Sequence, residues 1–188
     1  MVQLPGGRFQ MGTNSPDGRN GEGPVREVTI KPFAIDVFPV TNKDFREFVR
    51  EKKYRTEAEM FGWSFVFEEF VANELRNKVT HQMEGRFPKG DKAGDGFHRV
   101  SPVNAFPPQN NYGLYDLMGN IWEWTASLYP SADQDMCVLR GASWIDTADG
   151  SASHLARVTT RMGNTPDTAS DNLGFRCASS IGRLPGEL

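Results

Sequence analysis

Cysteine is the first scarcity. The 188 residues hold only Cys137 and Cys177, which allows at most one internal disulfide and leaves the compartment open. Thiol redox chemistry generally needs two cysteines in one small loop, and no such pair exists here. Histidine is also rare. His81, His98 and His154 lie far apart, without the ligand spacing of a zinc site. No apolar run reaches the length that spans a bilayer. Lys plus Arg number 21 against 24 Asp plus Glu, a net charge of -3. With no basic block, the balance argues against nucleic acid and anionic membrane surface as partners. Neither a phosphate-cradling glycine loop nor a nucleophile elbow is present. Pro5, Gly6 and Gly7 interrupt the start, so it does not read as a signal peptide. The chain is therefore expected either to be cytosolic or to follow a leader that this sequence does not include.

Aromatics make up 11% of the chain, beside 19 glycines and 12 prolines. That mixture describes a compact, loop-rich protein, and the length suits one domain with a sizeable core. The stretch Asn111 to Thr125 concentrates the pattern. Tyr112, Tyr115, Trp122 and Trp124 stand beside Gly113, Gly119, Asp116, Asn120 and Glu123. Large aromatics favour burial, yet buried polar groups need partners. A hard cation such as calcium would satisfy them, taking carboxylate and backbone carbonyl oxygens. A tight turn whose polar side chains cap the backbone would do so equally. A second calcium echo, Asp91 to Gly96, fails because Ala93 and Pro102 stand where ligands belong.

In chain order, residues 8–11 read as a strand and 13–24 as a Gly/Asn/Asp/Pro loop, with further strands over 28–30 and 33–37. The clearest helix begins at Thr41, with Asp44 placed for a capping box and Phe45, Phe48 and Val49 on one face. Thr56 with Glu59 marks a second short turn. Trp63, Phe65 and Phe67 alternate as in a strand, and Phe70, Val71 and Leu75 suit a helix. Residues 76–96 are polar and read as a join. Further strands are expected at 103–106, 138–145, 156–161 and 172–178. Asp146, Asp149 and His154 hold acid–base groups, as polar loops routinely do.

Taken in series, Gly6 to Gly12, Pro39 to Asn42 before Phe45, Asn111 to Tyr115 through Gly119 to Trp124, Arg140 to Trp144, and Gly174 to Arg176 resemble the formylglycine-generating (sulfatase-modifying factor) family, and within it a non-catalytic branch. The resemblance implies an α+β fold: one domain of low secondary-structure content, related to C-type lectin-like folds. It implies the lumen of the endoplasmic reticulum; the Pro-Gly-Glu-Leu end shares Glu-Leu with the retention signal read there. It implies structural calcium, with one site at Asp116, Glu123 and the carbonyls of Gly119 and Ile121, and part of another at Asp95 and the Phe97 carbonyl.

Two departures from the family pattern stand out. Active members hold copper on two cysteines, whereas residues 145–162 contain none. Soft thiolate suits copper(I) and carboxylate or hydroxyl oxygen does not, so no copper is expected. A central block of the family is also missing, with a deletion junction near residues 77–87 such as alternative splicing would leave. That block carries the family's disulfide partner for Cys177, so this chain is expected to be less stable than a full-length relative. The function that follows is regulatory: binding sulfatases or the active formylglycine-generating enzyme, with a homodimer possible in the same family, and dampening sulfatase activation. A residual oxidase and a lectin-like binding module are the alternatives, beside a shortened form that folds poorly.

Overall fold

A computed structural model describes residues 1–82, 93–132 and 135–181. Three small antiparallel or mixed sheets and two helices carry the chain. Strand β1 (Val2–Leu4) pairs with β4 (Phe33–Ile35), which also pairs with β9 (Ala178–Ser180), so the two ends of the described chain share one sheet. Strands β2 (Gly7–Met11) and β3 (Arg26–Ile30) form an antiparallel ribbon, closed by the Thr13 to Pro24 loop. The largest sheet runs β7-β6-β5-β8, from β5 (Trp122–Tyr129), β6 (Met136–Arg140), β7 (Arg161–Asn164) and β8 (Leu173–Gly174). The result is a mixed helix and strand domain of low helix content, the class expected from the sequence.

Local chemistry explains the helices. Helix α1 (Asn42–Lys52) starts where the Asp44 amide donates to Thr41 Oγ1 and the Thr41 amide donates back to Asp44 Oδ2, at 3.2 and 3.1 Å. Helix α2 (Glu57–Phe61) repeats that box with Thr56 and Glu59, and ends on Gly62 in the left-handed region. Neither helix contains a buried residue. Phe45 nevertheless meets Phe175 edge-on at 6.2 Å, so α1 leans on the link between β8 and β9 that carries Arg176.

The core is small and sits on the large sheet. Trp122, Leu139 and Ala142 are its centre, packed by Trp124, Ala156, Met162 and Leu173. Strand β6 stops at Arg140 instead of running on to Ile145. Gly141 takes φ +97°, and a Cβ there would stand 2.8 Å from the Leu117 carbonyl oxygen. Only glycine fits that close approach. Residues 156–160 are not a strand either; Thr160 N–H bonds Arg157 O in a turn, and β7 begins only at Arg161. The last stretch splits into β8 and β9 around Arg176, and no strand forms at 103–106. Trp63 to Phe67 likewise make no strand, because their alternation serves ring packing: Phe67 meets Trp144 edge-on at 5.0 Å. Beyond it the expected helix is two 3-10 turns, Glu68–Phe70 and Asn73–Lys78. Residues 83–87 of the junction expected near 77–87 lie outside the described residues. Among the described residues no helix is long and apolar enough to cross a membrane.

Candidate cation site and its surroundings

The loop between Asn110 and Trp122 is held by side chains that replace regular backbone pairing. Asn110 Oδ1 accepts from the amides of Tyr112 and Leu114, and Gln109 brackets Met118 by bonding both its N–H and its C=O at 2.8 Å. Asn120 bonds both backbone groups of Ser101, at 2.9 and 3.1 Å. Asp116 and Asn120 take φ of +49° and +62°, a region these short polar side chains tolerate better than most. The capping reading of this loop is therefore realised in detail.

The two carboxylates behave differently. Asp116 is 6% exposed, and its Oδ2 accepts from Asn120 Nδ2 at 2.9 Å. Burial pushes its carboxyl above the usual range. Burial also raises Glu123, opposed by Arg176. That arginine is the residue sequence reasoning passed over. Its guanidinium meets Glu123 with Nε at 3.0 and 2.8 Å and Nη2 at 2.5 Å, and it also donates to the carbonyls of Asp36, Val37, Tyr115 and Asp116. With 3% of its side chain exposed, it is the organic cation of an oxygen-lined nest. Gly-Phe-Arg was visible as a family anchor, but nothing local connects Arg176 to a glutamate 53 positions earlier.

The remaining expected ligands fall into place around a different feature. Asp95, Phe97, Asp116 and Gly119 line one cavity of about 380 Å³, together with Asn120 and Trp144. Asp95 Oδ1 accepts from the Phe97 amide at 3.1 Å, and the Gly119 carbonyl accepts from the Ile121 amide at 2.8 Å. Residues expected in two separate calcium sites thus meet on one wall, while Ile121 and Glu123 are not among that cavity's lining residues. Trp144 Nε1 is buried without a hydrogen-bond partner among the described residues. Three His, Cys, Asp or Glu side chains do not converge anywhere among those residues. A cation would depend on carbonyls as much as on carboxylates. The donor set is all oxygen, which suits a hard ion such as calcium.

Residues 145–162 hold hard groups as well. Asp146 Oδ2 accepts from Ser143 N–H and Oγ at 2.7 and 2.9 Å, while Oδ1 accepts from the His154 amide at 2.8 Å and faces His154 Nδ1 at 3.2 Å. Burial would raise the Asp146 carboxyl, but these bonds prevail and hold it below its usual range. Asn172 Nδ2 donates to Ser143 Oγ at 3.1 Å, and the His154 ring stands edge-on to Trp122 at 5.2 Å. Both cysteines are free, and both lie outside this stretch. Burial and then Asp36 push the Cys177 thiol up, away from the thiolate that would ligate copper or attack.

Comparison with known sequences places this arrangement. The profile of the sulfatase-modifying factor enzyme 1-like domain matches residues 1–82 and 64–181. The chain belongs to the sulfatase-modifying factor family. Over its whole length it is 58% identical to the inactive C-alpha-formylglycine-generating enzyme 2 of Bos taurus, covering 90% of that relative in an alignment of 272 positions. The Mus musculus protein of the same name is 56% identical, covered to 88%. Identity to the formylglycine-generating enzyme of Mus musculus is 29%, over 95% of this chain and 74% of that one. Among solved structures, PvdO from Pseudomonas aeruginosa matches with a TM-score of 0.66 at 22% identity, covering 96% of this family member and 94% of PvdO. At that identity the likeness is one of fold.

Proposed function

We propose that this member of the sulfatase-modifying factor family is a non-catalytic regulator, which binds sulfatases or the active formylglycine-generating enzyme in the lumen of the endoplasmic reticulum and dampens sulfatase activation. One observation carries the reading: in residues 145–162, where the family's copper-binding thiols belong, stand Asp146 and His154, hydrogen-bonded to each other and through Ser143 to Asn172 outside the segment. Their oxygens and imidazole do not supply the soft donors that copper(I) requires. The relatives named inactive stand at 56–58% identity, well above the 29% of the enzyme quoted above, which adds support. The partners, and a homodimer beside them, are inferred from the family. A central gap is supported by alignment length, since 272 positions exceed the 188 residues of the chain.

Calcium completes the proposal as a structural ion. Asp116 and the Gly119 carbonyl would hold it on one side, with Glu123 and the Ile121 carbonyl reached if Arg176 shares Glu123; Asp95 and the Phe97 carbonyl complete the wall of the cavity. The bound ion would neutralise the buried Asp116 carboxylate and fix the loop.

The deciding experiment mixes purified protein with the active enzyme and a cysteine peptide taken from a sulfatase. Formylglycine formation is expected to fall as this protein is added, with direct binding to enzyme or peptide. Unchanged turnover and no binding to either would discard the regulatory reading.

A further inference from the structure

Five large apolar side chains stand between Met60 and Val66, and the fold leaves them bare. Met60, Phe61, Trp63 and Val66 are each more than half exposed, and Phe65 is exposed beside them. Contiguous apolar surface rimmed by polar residues marks a place that another molecule covers. The segment is nonetheless well anchored. At one end helix α2 stops on Gly62, whose amide donates to Ala58 O at 2.8 Å. At the other, Phe67 is set against Trp144, and between them the Phe65 amide donates to Ala169 O at 2.9 Å. Residues 63–67 form neither helix, turn nor bend. The Trp63 and Phe65 rings meet edge-on at 5.3 Å, as side chains two apart on one face of an extended chain do. In such a chain the backbone groups of successive residues point to opposite edges. Phe65 uses one edge against Ala169. The N–H and C=O groups of Ser64 and Val66 belong to the other, and they take no hydrogen bond among the described residues. An open edge carrying exposed apolar side chains is the form that recruits a strand from another chain.

Charge selects the guest. From Glu57 to Leu75 the sequence holds five glutamates and neither lysine nor arginine. Glu57 precedes the apolar residues and Glu68 and Glu69 follow them; all three are exposed and form no ion pair among the described residues. Glu59 is taken up by the Thr56 cap, and Arg55 donates to the Glu59 carbonyl at 3.2 Å. Arg99 lies over the Phe70 ring at 4.4 Å but is paired with Asp171. A second copy of this segment would set glutamate against glutamate in either direction, which destabilises a strand pair. A guest with basic flanks meets the opposite sign at both ends.

We infer that residues 60–67 are a docking strand for an extended apolar segment of a different protein, with lysine or arginine on both sides of it. The guest pairs with the Ser64 and Val66 edge and lays alternate side chains on the exposed rings. Main-chain bonds supply the affinity, and the acidic flanks supply the choice of partner. Because the segment is anchored at both ends, little ordering cost falls on this side of the complex. The inference does not rest on the regulatory role.

Fluorescence anisotropy of a labelled peptide, a Val-Thr-Val-Thr-Val core between Lys-Arg and Arg-Lys ends, tests the strand with the full chain. One companion peptide carries the same core between glutamates. A second keeps the basic ends but has proline at the three central positions, which removes main-chain donors. The basic-flanked peptide is expected to bind roughly tenfold more tightly than the acid-flanked one, from two or three reversed charge contacts. The proline peptide is expected not to bind. Glu68→Lys combined with Glu69→Lys changes exposed residues of a turn that buries nothing, and it should erase the preference for basic ends. Trp63→Ala should weaken the basic-flanked peptide roughly tenfold, as loss of an aromatic contact implies, and Arg50→Gln on α1 should leave it unchanged. No binding of the basic-flanked peptide, equal affinity for all three peptides, or an unaltered preference in the double variant overturns the proposal. So does self-association of the chain in sedimentation velocity that Trp63→Ala abolishes, because a second copy would then occupy the segment.

Discussion

Residues 54–79 are denser in large apolar side chains than residues 114–178, yet they bury fewer of them. In the later region Leu114 is buried in a loop and Trp122, Val138 and Leu139 on the strands of the large sheet, although Leu128 and Val158 are exposed. In the earlier one Tyr54, Met60, Phe61, Trp63, Phe65, Val66, Leu75 and Val79 all remain exposed. Helix α2 is well capped and the two 3-10 turns have no side-chain cap, and none of the three contains a buried residue. Capping requires only three or four neighbouring residues, whereas burial requires a partner surface from elsewhere in the chain. The difference follows the proposed junction near 77–87: local structure survives beside it and packing thins out.

The contrast can be broken most directly at its two tryptophans. Trp122→Ala is expected to cost about 3–5 kcal/mol in urea unfolding, while Trp63→Ala stays within about 0.5 kcal/mol of wild type. Equal costs would show that the earlier region is as well packed as the later one. Arg176→Met comes next, with a loss of about 3–5 kcal/mol expected from stranding the half-buried Glu123 carboxylate and four carbonyls. A neutral outcome would mean that another cation takes the place of the guanidinium.

Asp146→Asn should cost about 1–3 kcal/mol and change the pH dependence. The folded carboxyl lies below its usual value, so its contribution is complete above the unfolded pKa and is lost as pH falls through the folded one. Stability measured down an acid titration should therefore fall less steeply in the variant. The smallest effect concerns calcium. At ten times its Kd it should stabilise the protein by about 1.4 kcal/mol, read by tryptophan fluorescence during unfolding, and Asp116→Ala should abolish the gain. Because burial raises the Asp116 carboxyl, protons should displace calcium at a higher pH than for an ordinary aspartate. The same raised value means that, without calcium, Asp116 costs stability as pH rises through that window. A calcium effect that is flat with pH would detach Asp116 from the site.

What could be read from the residues alone follows the same division. The Thr41–Asp44 box, the glycine-rich loop at 13–24 and the strand at 138–140 are short-range signals, and each is present in the structure. The strand expected through Gly141 fails because the decisive contact, with Leu117 O, lies in another loop. Alternating rings at 63–67 imitate a strand, although Trp63 packs on Phe65 and Phe67 on the distant Trp144. Asp116 and Glu123 were recognisable as polar residues needing partners, but the partner of Glu123 is Arg176, reachable only through the fold. Asp146 and His154 were named together as acid–base groups of a polar loop; that they bond each other depends on a turn that the spacing does not reveal.

The central claim concerns sulfur that residues 145–162 do not hold. Purified protein should be loaded with copper(I), supplied with oxygen and a sulfatase-derived cysteine peptide, and the peptide mass followed. The account predicts no copper-dependent oxygen uptake and an unchanged cysteine; conversion of that cysteine to formylglycine would contradict it.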